Sequence, residues 1–235
     1  LPAEEDTGII FRRVDIDPPV EIKAIVNNVG ATTLATTLIQ GEVQISTIEH
    51  MLSAFAGLGI DNAIIEIDDV EVPIMDGSSS SFVFLIQSAG IKEQTKPKKF
   101  IKIKKEISVE TDNGAFVRLS PYDGFKVTYS LVYDDDKHKQ YSSKSTIDFN
   151  STTYLKEISR ARTFGFMEEV NMLKEQNLAL GASEKNAIAI GEDGILNEEG
   201  LRSKDEFVKH KILDVVGDLY FCLLYTSPSP RDGDE

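Results

Sequence analysis

Two kinds of hydrophobic pattern alternate along the chain, and both occur in each half. Between residues 7 and 45, short runs rich in β-branched residues predict strands in TGIIFRR, VEIKAI, ATTLATTLI and EVQIS. The turn sequences DIDPP and NNVG separate them. Beyond them, the pattern predicts a helix over about 47–57, a buried strand in IDNAIIEID and a second helix in SFVFLIQSAG that ends at Gly90.

The second half of the sequence repeats this order. FIKIKKEISVE, GAFVRLSPY and FKVTYSLVY predict strands, and a helix follows at about 152–160. A mixed segment then leads to a strand in NAIAIG, and a last helix is predicted to begin near Ser203. Strands followed by helices, twice over, indicate an α+β protein with two domains, at residues 1–95 and 96–221.

Both of the longer helices in which a histidine occurs begin with a similar motif. Ser46 and Glu49, and likewise Ser203 and Glu206, have the spacing of a capping box. In that motif the glutamate need only accept a hydrogen bond from the backbone N–H of the first residue. The motif therefore gives Glu49 an ordinary structural explanation that competes with a catalytic one.

Composition excludes several classes of protein. The net charge of −14 argues against a general nucleic-acid binder and against a purely electrostatic association with membranes. One basic run, KPKKFIKIKK at residues 96–105, alternates with apolar residues and predicts a strand with a solvated lysine face. No run approaches the roughly 18 apolar residues of a membrane-spanning helix. The single cysteine, Cys222, excludes a disulfide framework and fits a reducing cytosol.

The three histidines are the first candidates for chemistry. His138 lies between two strand-like runs and is expected in a surface loop. His210 and Asp214 are four residues apart, so on a helix they share a face and could bind one metal ion, although surface pairs often have this spacing. Glu49 and His50 could supply a general base and a further ligand. A zinc site with an open position and a metal-free protein with two capped helices both remain possible at this point.

Longer motifs identify a family. STIEHMLSAFAGLGIDNAIIEID, VPIMDGS, ISRARTFGFM and LNEEGLRSKDEFVKHKILDVVGDL resemble, in this order, the UDP-3-O-acyl-N-acetylglucosamine deacetylases, the zinc amidases of lipid A synthesis in Gram-negative bacteria. The resemblance covers about residues 7–221. It implies two similar domains, each a β-α-α-β sandwich, with the active site between them. It also implies hydrolysis of the N-acetyl group of UDP-3-O-(3-hydroxyacyl)-N-acetylglucosamine to the free amine and acetate.

The same resemblance implies roles for individual residues. His50, His210 and Asp214 match the zinc ligands of the family. Glu49 matches the general base, and Thr163 matches a threonine whose hydroxyl helps to stabilise the oxyanion of the tetrahedral intermediate. These five residues form the catalytic centre that the resemblance predicts.

Further positions match residues that bind or support the substrate. Phe164 and Lys211 match residues that contact the sugar-nucleotide, and Thr33 and Leu34 match a pair that lines the acyl-chain passage near the zinc. Asp218 matches a carboxylate that steadies an additional histidine. The segment 161–190 matches an insert that forms this passage. Its apolar candidates are Phe166, Met167, Leu173, Leu178 and Leu180.

The ends of the sequence depart from the family pattern. Leu1 reads as a mid-chain residue, so we expect a fragment truncated at both ends, in which residues 222–235 are a non-native tail. The family's general-acid histidine lies in a motif beyond the last helix, and that motif is missing from this sequence. A UDP-sugar-binding fragment without catalytic activity is therefore the alternative to an enzyme. We expect Zn2+ as the cofactor, a small-molecule substrate, a monomer and a cytoplasmic location.

Overall fold

The structure of the chain is a computed structural model that describes residues 1–175, 179 and 181–221. In its first half, four strands precede a helix, and a fifth strand separates this helix from a second one, because runs of β-branched residues are separated by turns and by two apolar helices. The strands are β1 (Ile9–Arg13), β2 (Val20–Lys23), β3 (Leu38–Gln40), β4 (Val43–Ile45) and β5 (Ala63–Ile67). The helices are α1 (Glu49–Leu58) and α2 (Ser80–Ala89).

The second half contains two hairpins, a small mixed sheet and a long last helix. Its strands are β6 (Ile107–Glu110), β7 (Phe116–Leu119), β8 (Lys126–Leu131), β9 (Ser143–Asp148), β10 (Phe164–Phe166), β11 (Ile188–Gly191) and β12 (Gly194–Ile195). Its helices are α3 (Ser151–Thr153), which continues as a π-helical turn over Tyr154–Ile158, α4 (Met167–Glu175) and α5 (Glu206–Tyr220). These small sheets and separate helices confirm the predicted α+β class.

Two three-stranded sheets carry the functional segments. In the first, β1 lies at the centre, antiparallel to β2 and parallel to β5, and the parallel pairing requires the crossover that α1 provides. In the second, β10 and β11 are parallel and β12 is antiparallel to β11. The main hydrophobic core contains residues from both halves of the chain, including Phe11, Leu52, Tyr154 and Leu213. None of the helices in the described part of the chain has the length and apolar character needed to cross a membrane.

Helices α1 and α5 cross at a very short distance, and this crossing brings the two halves together. Gly217 of α5 lies against the backbone of α1, where a Cβ atom would overlap with the carbonyl oxygen of Glu49. Since only glycine lets two helix backbones approach so closely, the sequence at this position sets the distance between the helices. His50 and His210 lie on the facing surfaces of this crossing.

Two sequence predictions at the helix starts are wrong. Helix α1 begins at Glu49. The residues that precede α1 and α5, Ile48 and Asp205, form no side-chain hydrogen bond that caps the helix. The side chains of Glu49 and Glu206 instead bond to segments that are distant in sequence. Helix α5 begins at Glu206, three residues later than predicted. Ser203 lies in a turn before the helix, where its backbone carbonyl accepts a hydrogen bond from the N–H of Glu206.

The basic run at 96–105 does not form the predicted strand; the strand begins only at Ile107. Three of its lysines form ion pairs with carboxylates of the first half: Lys96 and Lys99 bind Asp6, and Lys98 binds Asp61. The stretch ATTLATTLI is extended only at its end, where Leu38 enters β3. The predicted tail at 222–235, with Cys222, lies outside the described residues.

Candidate metal centre

Three predicted ligands converge at the crossing of α1 and α5. His50 is the second residue of α1, and His210 and Asp214 lie one turn apart on α5. The Oδ1 atom of Asp214 is 3.5 Å from Nε2 of His50 and 3.4 Å from Nε2 of His210. The two imidazole rings meet edge to face with centroids 4.9 Å apart. One donor atom from each residue lies within 4.8 Å of the others, as binding one ion requires.

The polar atoms of this group have the unmet bonding capacity that a metal would satisfy. Both histidines are buried, and Oδ1 of Asp214 is a buried atom without a hydrogen-bond donor among the described residues. Buried polar atoms without partners are rare and need an explanation. Two imidazoles and one carboxylate form a donor set suited to a divalent transition metal. The residues present therefore fit a mononuclear metal ion.

The protonation states of the ligands suit metal binding. Nδ1 of His210 is 3.0 Å from the carbonyl oxygen of Ala161, so Nδ1–H donates to that oxygen and the lone pair of Nε2 faces Asp214. Burial lowers the pKa of His210 to about 4, which keeps the ring neutral. Burial alone would raise the pKa of Asp214, but the neighbouring His210, His50 and Lys211 hold it below its usual range. The group therefore offers a neutral imidazole at His210 and an ionised carboxylate at Asp214.

Glu49 lies beside this group as a buried carboxylate. Its Oε2 accepts a hydrogen bond of 3.1 Å from the backbone N–H of Thr36, on the loop before β3. Burial raises the pKa of Glu49 to about 7; His50 opposes this shift and Asp214 adds to it. A carboxylate with a pKa near neutrality suits proton transfer in both directions at physiological pH. The fold thus gives Glu49 an environment that a helix cap would not require.

Thr36 is a component of the site that the sequence did not indicate. Its hydroxyl donates to Oδ1 of Asp218 at 2.8 Å, so one residue bonds both Glu49 and Asp218. Burial raises the pKa of Asp218 to about 6, while the Thr36 hydroxyl lowers it and Asp214 raises it further. In the sequence, Thr36 lies in the repetitive stretch ATTLATT, which does not distinguish it from the neighbouring threonines. The nearby candidates Thr33 and Leu34 are exposed, and Leu34 has a φ of 64°.

Lys211 and Phe164 lie together at the edge of the group. Nζ of Lys211 is 3.1 Å from Oδ2 of Asp214, and it lies 5.6 Å from the centroid of the Phe164 ring. The Phe164 ring in turn is 6.3 Å from that of His210. Burial would lower the pKa of Lys211, but Asp214 raises it above its ordinary value. A cation and an aromatic face are therefore available next to the candidate metal ligands.

Thr163 lies next to the segment that contacts His210. Its backbone N–H donates to the carbonyl of Gly77 at 2.7 Å, and its carbonyl accepts from Ile188 at 2.8 Å. The loop VPIMDGS from the first half thus holds the segment that carries Thr163 in the second half. Ala161, two residues earlier, supplies the carbonyl that bonds His210.

The predicted passage residues have mixed environments. Phe166 is buried in a second apolar cluster with Ile188, Ile190 and Phe207, and the ring of His138 lies on it at 4.0 Å between centroids. Met167 and Leu173 are half-buried on α4. His138 belongs to a loop, as predicted, but it is partly covered and bonds Asp135. Leu178 and Leu180 lie outside the described residues.

A mononuclear donor group beside a carboxylate of raised pKa defines the class of site found in metal-dependent hydrolases. The family profile described as UDP-3-O-acyl N-acetylglycosamine deacetylase matches residues 1–226. Proteins called UDP-3-O-acyl-N-acetylglucosamine deacetylase from Pseudomonas entomophila and Alcanivorax borkumensis are 57% and 58% identical, each over 93% of this chain and 72% of its own length. That of Cellvibrio japonicus is 56% identical over 94% of this chain and 72% of its own. The chain belongs to the UDP-3-O-acyl-N-acetylglucosamine deacetylase family.

Proposed function

We propose that the protein is a zinc-dependent hydrolase that removes the N-acetyl group of UDP-3-O-(3-hydroxyacyl)-N-acetylglucosamine in lipid A biosynthesis. Its family membership supports the reaction, since close relatives bear the name of this deacetylase. The observation that carries the mechanism is the buried carboxylate of Glu49, with a pKa near neutrality, beside two histidines and an aspartate that can hold one metal ion.

His50, His210 and Asp214 would hold the zinc ion, which leaves a position open for the reactants. Zinc bound there supplies a Lewis acid that polarises the amide carbonyl and lowers the pKa of water. Glu49 accepts the proton of the attacking water, which its raised pKa permits without a large energetic penalty. The leaving amine requires a proton as the C–N bond breaks, and protonated Glu49 can return the one it accepted.

The remaining predicted residues bind the substrate or support the centre. The Thr163 hydroxyl donates to the oxyanion as the tetrahedral intermediate forms. Lys211 and Phe164 contact the sugar-nucleotide, where an ammonium group suits the diphosphate and an aromatic face suits a ring. Asp218, which matches the carboxylate that steadies an additional histidine in the family, supports the centre through the hydroxyl of Thr36. Thr33, Leu34 and the 161–190 insert contact the acyl chain. We place the enzyme in the cytoplasm as a monomer; its single cysteine agrees with a reducing compartment.

The test is acetate release by the purified chain loaded with one equivalent of Zn2+, compared with Glu49→Gln. The wild-type chain should release acetate from the UDP-linked substrate, and the glutamine variant should retain zinc but lose about 10²-fold or more in kcat, the effect of losing a general base. Substrate binding without acetate release by the wild-type chain would contradict the proposal and support a binding fragment. Equal turnover by both proteins would remove Glu49 from the mechanism.

A further inference from the structure

Arg162 and Glu206 form a buried ion pair next to the candidate metal centre. Their side chains are only 3% and 1% exposed, and Nε of Arg162 lies 2.9 Å from Oε1 of Glu206. The same Oε1 accepts the backbone N–H of Arg162 at 3.1 Å, and Oε2 receives the backbone N–H of Arg202. The guanidinium group also donates to Glu199 and to the carbonyl of Gly200, each at 2.7 Å.

The position of this pair connects it to two functional groups at once. Glu206 lies four residues before His210 on α5, so the two side chains lie on the same side of the helix. Arg162 stands between Ala161, whose carbonyl accepts from Nδ1 of His210, and Thr163, the candidate oxyanion donor. By binding the backbone N–H and the side chain of Arg162, Glu206 fixes the segment 161–163 against the helix that carries His210.

Stability alone does not account for such a pair. Two charges lose their hydration when they are buried, and apolar residues of similar volume often give equal or greater stability. Oε2 of Glu206 also accepts from Nη2 of Arg162 at 3.3 Å, and such a bidentate carboxylate–guanidinium pair fixes the relative position of the two segments that it joins. Here those segments are the metal-binding helix and the strand that begins immediately after Thr163.

We propose that Glu206 is a positioning residue that acts through Arg162. It keeps the Ala161 carbonyl on Nδ1–H of His210, which holds Nε2 of that ring in the tautomer and orientation that bind the metal. It also holds Thr163 at its place beside the site. The part that concerns Thr163 rests on the proposed deacetylase function, whereas the part that concerns His210 is a statement about metal affinity alone.

The matched test compares Glu206→Gln with Glu199→Gln. Both glutamates bind the same guanidinium group, but Glu199 is 61% exposed, so its loss leaves the backbone of Arg162 in place. We expect Glu206→Gln to weaken Zn2+ binding about 10–100-fold in chelator competition, the effect of losing support behind a metal-bound histidine. It should also lower kcat more than it raises KM. Glu199→Gln should change neither. Wild-type metal affinity in folded Glu206→Gln would overturn the proposal.

A double variant separates positioning from folding. Arg162→Met/Glu206→Leu replaces the charges with apolar residues of similar size but leaves the backbone N–H groups of residues 162 and 202 without their acceptor, so we expect a lower thermal midpoint and, at temperatures where the variant is still folded, weakened Zn2+ binding. Loss of the slowly exchanging imidazole Nδ1–H proton of His210 in NMR spectra should accompany it. If this variant binds Zn2+ as the wild-type chain does, the pair is structural only. If wild-type protein releases no acetate while these metal affinities behave as expected, the proposed function fails and the positioning role stands.

Discussion

Gly217 of α5 lies directly against the carbonyl oxygen of Glu49 on α1, with no room for a side chain between them. The contact joins a helix of the first half to the last helix of the second half. It also sets the separation of His50, which directly follows Glu49, from His210, which lies two turns before Gly217; their rings are 4.9 Å apart. The geometry of the candidate metal centre therefore depends on the absence of a single Cβ atom.

Gly217→Ala should destabilise the protein although it lies inside a helix. In an exposed helix, alanine would be favoured over glycine by about 1 kcal/mol. Here its Cβ would push α1 and α5 apart, so we expect a loss of about 1–3 kcal/mol in the free energy of unfolding. Zn2+ affinity should fall as well, because the ligands lie on both helices.

Urea unfolding of the metal-free protein and chelator competition would measure the two effects of Gly217→Ala. Gly181→Ala is the control, since a Cβ at that position meets no atom of the described residues within 4 Å. An unfolding free energy within about 0.5 kcal/mol of the wild-type value, typical of a harmless surface change, would show that α1 and α5 can separate without cost.

The hydroxyl of Thr36 should contribute to stability through Asp218. Thr36→Val removes the 2.8 Å hydrogen bond to Asp218 but keeps the backbone N–H that bonds Glu49. We expect a loss of about 0.5–1.5 kcal/mol in the free energy of unfolding, the range for one hydrogen bond, because the Asp218 side chain is exposed and water can replace the lost donor. The neighbouring Thr37→Val is the control, since Thr37 is equally buried. Equal effects of the two substitutions would mean that the Asp218 contact contributes nothing specific.

Sequence patterns were sufficient for the parts of the site that lie on one element. The spacing of His210 and Asp214 predicted a shared helix face, and the structure brings His50 to the same face. Local spacing could not decide the role of Glu49, because a capping box and a general base have the same local sequence. The structure shows that Glu49 accepts the N–H of Thr36, from a different segment, and does not form the capping box, whereas its role as the general base stays a prediction.

Long-range contacts explain what the sequence did not reveal. Thr36 and Asp218 are 182 positions apart, and Arg162 and Glu206 are 44 apart, so no periodicity connects them. The predicted strand in the basic run at 96–105 is wrong for the same reason. Its lysines bind Asp6 and Asp61, which are distant in sequence, and do not project from a strand. The domain boundary near residue 95 and the passage over 161–190 stay predictions.

Lys211 should bind the diphosphate of the substrate rather than hold the metal. We expect Lys211→Met to weaken binding of UDP about 10–100-fold, because a charge-assisted hydrogen bond contributes roughly 1.5–3 kcal/mol. Zinc stoichiometry should remain at one equivalent, since the three ligands are unchanged. Titration calorimetry with UDP measures this without any catalytic step. Lys209→Met serves as the control, because Lys209 bonds Asp205 and Glu157 instead. Equal loss of UDP affinity in both variants would contradict the assignment.

Asp76 should make the protein sensitive to acid. Burial would raise the pKa of its carboxyl, but hydrogen bonds from Ser78 and Arg202 lower it below the ordinary value. A pKa that is lower in the folded than in the unfolded state gives stability that is present above the unfolded value, near 4, and is lost as the pH falls through the folded value. The bond between Asp76 and Arg202 joins the two halves of the chain, and Arg202 is held in place by a further bond to the carbonyl of Arg160. Protonation of Asp76 therefore weakens a contact between the halves.

Urea unfolding of the metal-free protein between pH 7 and pH 3 tests this dependence on Asp76, since acid release of a bound ion cannot then contribute. Asp76→Asn should cost about 1.5–3 kcal/mol at pH 7, the range for hydrogen bonds to a charged group. The variant should lose less stability than the wild-type chain below pH 4, so the two curves converge in acid. Asp112→Asn, at an exposed position between β6 and β7, should follow the wild-type curve throughout. Parallel curves for Asp76→Asn and the wild-type chain would show that the Asp76–Arg202 contact does not respond to protonation.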